Sequence, residues 1–437
     1  MSRPAGSAPA SEHEAGEHGD RPAPPLYPAG PLPSMTRGEM HAPASSDSGL
    51  SRGLTLLLAV ACGIMVANLY YAQTLIDRIG PDIGLSPRIA GLITTLTQLG
   101  YGAGLLLLVP LGDLTENRRL ALLALGGAIL GTLGIAFSRG PVTFLIASMA
   151  TGICATGAQV LLPLATHLTP ARRQGAVIGQ IMSGLLAGIM LARPIASFVT
   201  ATWGWRAVFL ISAGAMILTG IALFILCPRR RPDSGLGFAR IIASVFSQFG
   251  RHRALRLRAI YQALLFAAFN LFWTAAPLAL IRTFRFTQGD VALFALAGAG
   301  GALIAPVAGR LADRGRGRRV TALALAGSAG LFLLADAAVA LGSVIAFALA
   351  AILIDCAVQA NQITGQRIIF ALSDGARARI NAAYMTSMFL VGASGSLIGS
   401  ATFESGGWSL SALAGAALCG LALVIFLTQD RGASGRG

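Results

Sequence analysis

Asp355 and Arg193 lie inside stretches that are otherwise apolar, and so do Asn68, Tyr70, Tyr71, Gln73, Gln159, Asn270, Trp273, Gln359 and Gln362. An ionised carboxylate in a hydrocarbon environment costs at least ~2.5–3.5 kcal/mol unless it faces a partner or water. Asp355 is therefore either a hydrogen-bonded packing residue or a group that takes up and releases protons. Arg193 also has two readings. Its long stem lets the guanidinium reach the headgroups, or it meets an anion or carboxylate within the membrane. The amides and rings offer the hydrogen bonds and stacking faces that would hold a small amphipathic organic solute. Their blander roles are interhelical hydrogen bonding for the amides and an interfacial belt for the tyrosines.

These residues need a scaffold, and composition says which solvent it lives in. Of 437 residues, 54% are hydrophobic and only 12% charged, with a mean hydropathy of +0.69. Such a chain is an integral membrane protein. Twelve apolar runs of about 20 residues, each long enough to cross a hydrocarbon core as helix, fall near 54–74, 89–110, 120–138, 141–164, 176–199, 207–227, 259–281, 290–308, 320–341, 343–366, 380–402 and 408–427. They lack the alternation of barrel strands, so the fold class is all-α.

The net charge of +15 is carried entirely by arginine. With both termini cytoplasmic, the inside loops hold roughly twenty arginines and the outside loops roughly six, as the positive-inside rule requires. The charge is topological, and it does not point to nucleic acid. Residues 1–50 read as a disordered cytoplasmic tail, and His13, His18 and His41 in it have no compact metal-ligand spacing. Cys62, Cys154, Cys227, Cys356 and Cys419 fall in or beside spans without paired spacing and read as packing residues.

A repeat divides the chain. "LGDLTENRRLALLAL" from Leu111 aligns without a gap with "LADRGRGRRVTALAL" from Leu311, and "NLYY" at Asn68 is echoed by "NLFW" at Asn270. This gives two pseudo-symmetric six-helix halves, 51–228 and 258–428, with a linker over 229–257 and a short tail over 429–437. In the linker, Phe238, Ile241, Ile242, Val245, Phe246 and Phe249 keep helical spacing, which marks an amphipathic helix on the inner leaflet. Parallel repeats of this kind place the ligand near the midplane, between halves that rock against each other. In the duplicated loops, Asp113 with Arg118 and Arg119, and Asp313 with Arg318 and Arg319, form a candidate gate. Their arginines can pair with carboxylates or with helix C-terminal carbonyls.

With "ANLYYAQ", "VPLGD", "QVLLPLATHLTP", "SGLLAGIMLARPIASF" followed by "WGWRAVF", and "LIDCAVQANQ", the chain resembles the major facilitator superfamily over residues 52–428, and within it a bacterial drug:proton-antiporter-like branch. The resemblance implies that spans 1, 4, 7 and 10 line a central cavity and that glycine-rich span 5, with Gly175, Gly179, Gly184 and Gly188, lies between the halves. Where many proton-coupled members carry an arginine four residues before a span 4 glycine, this chain has Ser148 before Gly152.

Spacing limits which groups can share that cavity. Asn68 and Tyr71 are three apart and share a helix face, as do Tyr70 and Gln73, but a two-residue step turns a helix about 200°. All four cannot face one space. The implied function is alternating-access transport of a small amphipathic solute, with proton-coupled efflux through Asp355. Proton symport, facilitated uptake or a non-transporting membrane sensor are the alternatives. No nucleotide-binding loop, metal-ligand pattern or nucleophile constellation is present, so neither an enzyme nor a bound cofactor is expected. The expected setting is the bacterial inner membrane, with the protein a monomer.

Overall fold

The apolar runs fold as helices, which satisfy their own backbone groups in lipid. The computed structural model describes residues 50–229, 237–298, 304, 307–308, 310–311, 314–373 and 376–429, apart from the side chains of Asp113 and Ala171. Span 1 opens with Arg52–Ala67, span 2 is Leu92–Leu107, span 3 is Asn117–Ala136, and span 4 is Pro141–Ala155 followed by Gly157–His167. Span 5 is Ala171–Trp203 and span 6 is Trp205–Leu226. After a linker helix, Phe238–Arg251, come span 7 at Arg253–Arg282, the Gln288–Ala295 part of span 8, span 9 at Gly317–Ala340 and span 10 at Val344–Phe370. Span 11 begins with Arg377–Gly392 and continues into Ser394–Gln429, which folds back on itself at Gly406 and Gly407 and so also supplies span 12. Gly407 sits at φ 66°, where a side chain would be strained.

Span 1 does not run straight through. Asn68 turns its side chain back, so that Nδ2 donates to the Ile64 carbonyl at 2.9 Å, the acceptor that a continuing helix would give to the Asn68 backbone. The next turns tighten to three-residue bonds, with Leu69 N–H donating to Val66 and Tyr70 N–H to Ala67, and a 3₁₀ turn follows at Tyr71–Thr74.

Span 5 lies against span 1 backbone to backbone. A Cβ on Gly188 would come within 2.2 Å of the Gly63 carbonyl oxygen, and one on Gly184 within 2.5 Å of the Ala59 oxygen. The glycine stripe thus packs through Gly184 and Gly188, whereas Gly175 and Gly179 meet open space. The linker helix has the expected amphipathic face, but it docks on protein. Val245 joins a cluster with Leu255, Ile369, Ile380 and Tyr384 of the second half, and Phe246 stays exposed.

Candidate functional site

The two halves are bonded together toward the end opposite Arg52 and Gln429. Ser400 Oγ of span 11 accepts from the Gly91 backbone at 3.0 Å, Thr95 Oγ1 of span 2 donates to the Ala393 carbonyl at 2.8 Å, and Arg88 reaches Ser405 at 3.1 Å. Gln288 of span 8 donates to the Thr74 carbonyl at 3.2 Å and to Ser197 Oγ at 3.4 Å.

Deeper in the bundle, Asn270 of span 7 is the hub of an amide network. It exchanges two 2.8 Å bonds with Gln98 of span 2, accepts from Gln73 Nε2 at 3.2 Å, and donates to the Gly392 carbonyl at 3.0 Å. All three amide side chains are fully buried. In such surroundings an unpaired amide costs about 1–3 kcal/mol, so the satisfied hub holds the halves in register.

Gln73 Oε1 accepts from Arg193 Nε at 3.0 Å. The guanidinium carbon lies 4.5 Å from the ring centre of Trp273 and 5.0 Å from those of Tyr70 and Phe269. Arg193 is only 2% exposed, so it points into the bundle and does not snorkel to the headgroups. A desolvated cation–π contact is worth about 2 kcal/mol, so three rings can offset the burial of the charge.

Trp273 joins the arginine to the carboxylate. Its Nε1 donates to Asp355 Oδ1 at 2.8 Å while its ring face lies against Arg193. Asp355, the twelfth residue of span 10, is 4% exposed and makes no direct ion pair with Arg193 among the described residues. Gly298 lets the span 8 backbone close over this pair, since a Cβ there would come within 2.7 Å of the indole and 3.1 Å of Asp355 Oδ2. From Asp355, Gln359 and Gln362 follow at four and seven residues on one face of span 10, and both are half-buried.

The remaining site candidates are placed differently. Asn68 stays within the first half: its Oδ1 accepts from Ser212 at 3.1 Å and Thr132 at 3.3 Å, and its Nδ2 lies 3.7 Å from Met216 Sδ. Tyr71 packs edge-on against Phe209 of span 6 and borders a crevice of about 670 Å³ between spans 1 and 5. Gln159 donates to the Tyr101 hydroxyl at 3.0 Å, and the Tyr101 ring packs at a tilt against Phe389 of the other half.

Of the candidate gate, Arg118 donates to the Phe224 carbonyl and lies over the Phe224 ring, tying span 3 to the last turn of span 6 in its own half. Arg119, Arg318 and Arg319 are exposed. The Asp113 side chain and Asp313 lie outside the described residues. Gln98 was visible in the sequence as a polar residue in span 2, three before Tyr101, but span 2 is not among the expected lining helices. Phe269 carried no signal beyond its place before Asn270.

The Major Facilitator Superfamily profile matches residues 55–361 and 258–436. The uncharacterized transporter YgaY of Escherichia coli O157:H7 is 40% identical over 390 residues, which cover 88% of this chain and 96% of that protein. A chloramphenicol resistance protein of Streptomyces lividans is 29% identical over 297 residues, 65% of this chain and 74% of its own. A solved bacterial homologue of the human lysosomal transporter Spinster, inward-facing and unoccupied, shares the fold with a TM-score of 0.69 at 15% identity, over 86% of this chain and 96% of that one.

Proposed function

Because the chain belongs to the major facilitator superfamily and is a membrane transporter rather than an enzyme, we propose that it exports a small amphipathic organic solute across the bacterial inner membrane by alternating access, driven by proton influx through Asp355. The observation that carries this reading is the Arg193–Trp273–Asp355 assembly. It sets a buried cation of the first half and a buried carboxyl of the second against opposite parts of one indole. A proton placed on Asp355 changes the charge at the boundary that rocking must open, and such a change biases a two-state equilibrium.

The half-buried Gln359 and Gln362 support a polar approach to the carboxyl from the arginine-rich end, which the positive-inside rule assigns to the cytoplasm together with both termini. The bonded amide hub supports closure on the other side. Likeness to the chloramphenicol resistance protein of Streptomyces lividans favours the outward direction. The working unit in this reading is a monomer.

The test is proton release from acidified everted vesicles, read with a pH-sensitive dye as amphipathic compounds are added to wild type and Asp355→Asn. Export by exchange requires a compound-dependent signal in wild type that the variant lacks. An equal response from both would remove Asp355 from the coupling, and silence from two well-folded proteins would favour uptake or sensing.

A further inference from the structure

Among the described residues, two polar atoms at the Arg193–Trp273–Asp355 assembly have no hydrogen-bond partner, and they are chemically complementary. Arg193 Nε is spent on Gln73, but Nη2 is buried and makes no hydrogen bond. Asp355 Oδ1 accepts from Trp273, while Oδ2 accepts no hydrogen bond among the described residues. One half therefore presents an unused donor and the other an unused acceptor, around a shared indole and two more rings, Tyr70 and Phe269. A buried guanidinium N–H left unpaired costs more than a neutral one, and a fold keeps such a group where something else meets it.

We propose that the transported solute is an uncharged aryl amphipath bearing a primary-amide-like donor–acceptor pair, whose carbonyl takes Arg193 Nη2 and whose N–H donates to Asp355 Oδ2. The proposal rests on the transport reading above and names its solute class. Charge decides against the alternatives. A lipophilic cation would meet the arginine's like charge, and one face of each ring it would seek already holds the guanidinium. A carboxylate at Nη2 would stand beside the Asp355 carboxylate and bind only together with a proton, which is symport.

The amide gives exchange directly. Its N–H needs the ionised carboxylate as acceptor, and a proton arriving at Oδ2 converts that acceptor into a donor and releases the solute. Nη2 is sealed in the present arrangement, so the pair becomes reachable when Tyr70 of the first half parts from Phe269 and Trp273 of the second.

The experiment titrates four probes sharing one skeleton into the purified full-length protein in weakly buffered detergent, following heat and a pH dye together. The probes are 3-phenylpropionamide, its N,N-dimethyl derivative, 3-phenylpropionate and (3-phenylpropyl)trimethylammonium. The primary amide is expected to bind with proton release, and the dimethylamide, which lacks the donor, about tenfold more weakly, the equivalent of ~1.4 kcal/mol. Arg193→Lys, which keeps the charge but loses the fork, should weaken the amide.

Equal affinity of the ammonium and the amide overturns the class, as does equal affinity of the two amides or no binding of the primary amide. Binding of the carboxylate with proton uptake overturns both the class and exchange. If cations drive Asp355-dependent proton movement in vesicles while the amide does not bind, export survives and the solute class falls. Amide binding with proton release but no flux leaves the site and removes export.

Discussion

Asn68 and Asn270 occupy matching places in the two halves, each followed by leucine and two aromatic residues, yet they do opposite things. Asn68 folds its amide back onto Ile64, interrupts its helix and is consumed by Ser212 and Thr132 inside its own half. Asn270 sits in an unbroken Arg253–Arg282 helix and spends its amide on Gln98 and Gln73 across the boundary. The aromatic residues divide the same way, with Tyr71 against Phe209 of its own half and Trp273 against Arg193 of the other. A structural repeat fixes where a backbone runs. Which way an amide turns on it decides between stability and motion.

Five variants break or sharpen that contrast. The largest effect belongs to Asn270→Ala, which orphans Gln98 in a buried place and takes from Gln73 its side-chain acceptor. Solute flux in vesicles should fall more than tenfold, and a cysteine at Ser405 should label faster as the halves separate at that end. Asn68→Ala should instead lower the unfolding midpoint in detergent, by the equivalent of about 1–3 kcal/mol, with flux per folded molecule retained. If these two phenotypes were exchanged, the assignment of roles would be reversed.

The aromatic pair comes next. Trp273→Phe keeps a ring beside Arg193 but removes the N–H to Asp355, and solute-driven proton movement should drop several-fold. Tyr71→Phe, its counterpart, should leave flux unchanged in the same vesicles.

The smallest effect lies on the loop side of the first half. Asp82 accepts from Trp205 Nε1 at 2.8 Å and Arg206 Nη1 at 2.9 Å, and these bonds hold its carboxyl below the usual carboxylate range. The resulting stability is present above about pH 4, the ordinary unfolded value, and is lost as pH falls through the lower folded value. The carboxylate is half-exposed, so the contribution is well under ~1 kcal/mol. Unfolding midpoints of wild type and Asp82→Asn should differ slightly at neutral pH and converge as the pH falls through the lowered folded value.

The spans, their order and the two halves were legible in the sequence because hydrocarbon leaves a helix no alternative. Spacing also separated Tyr70 and Gln73, which reach Arg193, from Asn68 and Tyr71, which do not. The break in span 1 was not legible, since it depends on which way the Asn68 amide turns. Nor was the role of Gln98, whose partner lies 172 positions away on another half. Arg193 had two readings from sequence because its stem is long enough for either, and only the three surrounding rings decide for the interior.

The seam between spans 1 and 5 carries a consequence for heritable variation. Where Gly63, Gly184 and Gly188 touch, carbonyl oxygens occupy the volume a single methyl would need, and no rotamer can make room for it. Most membrane-facing positions accept one apolar residue for another, so the chain can drift widely around these three sites without drifting at them. In a complete substitution library selected for folded protein, positions 63, 184 and 188 should stand as nearly blank columns, while Gly175 and Gly179 on the same helix, which meet open space, fill freely.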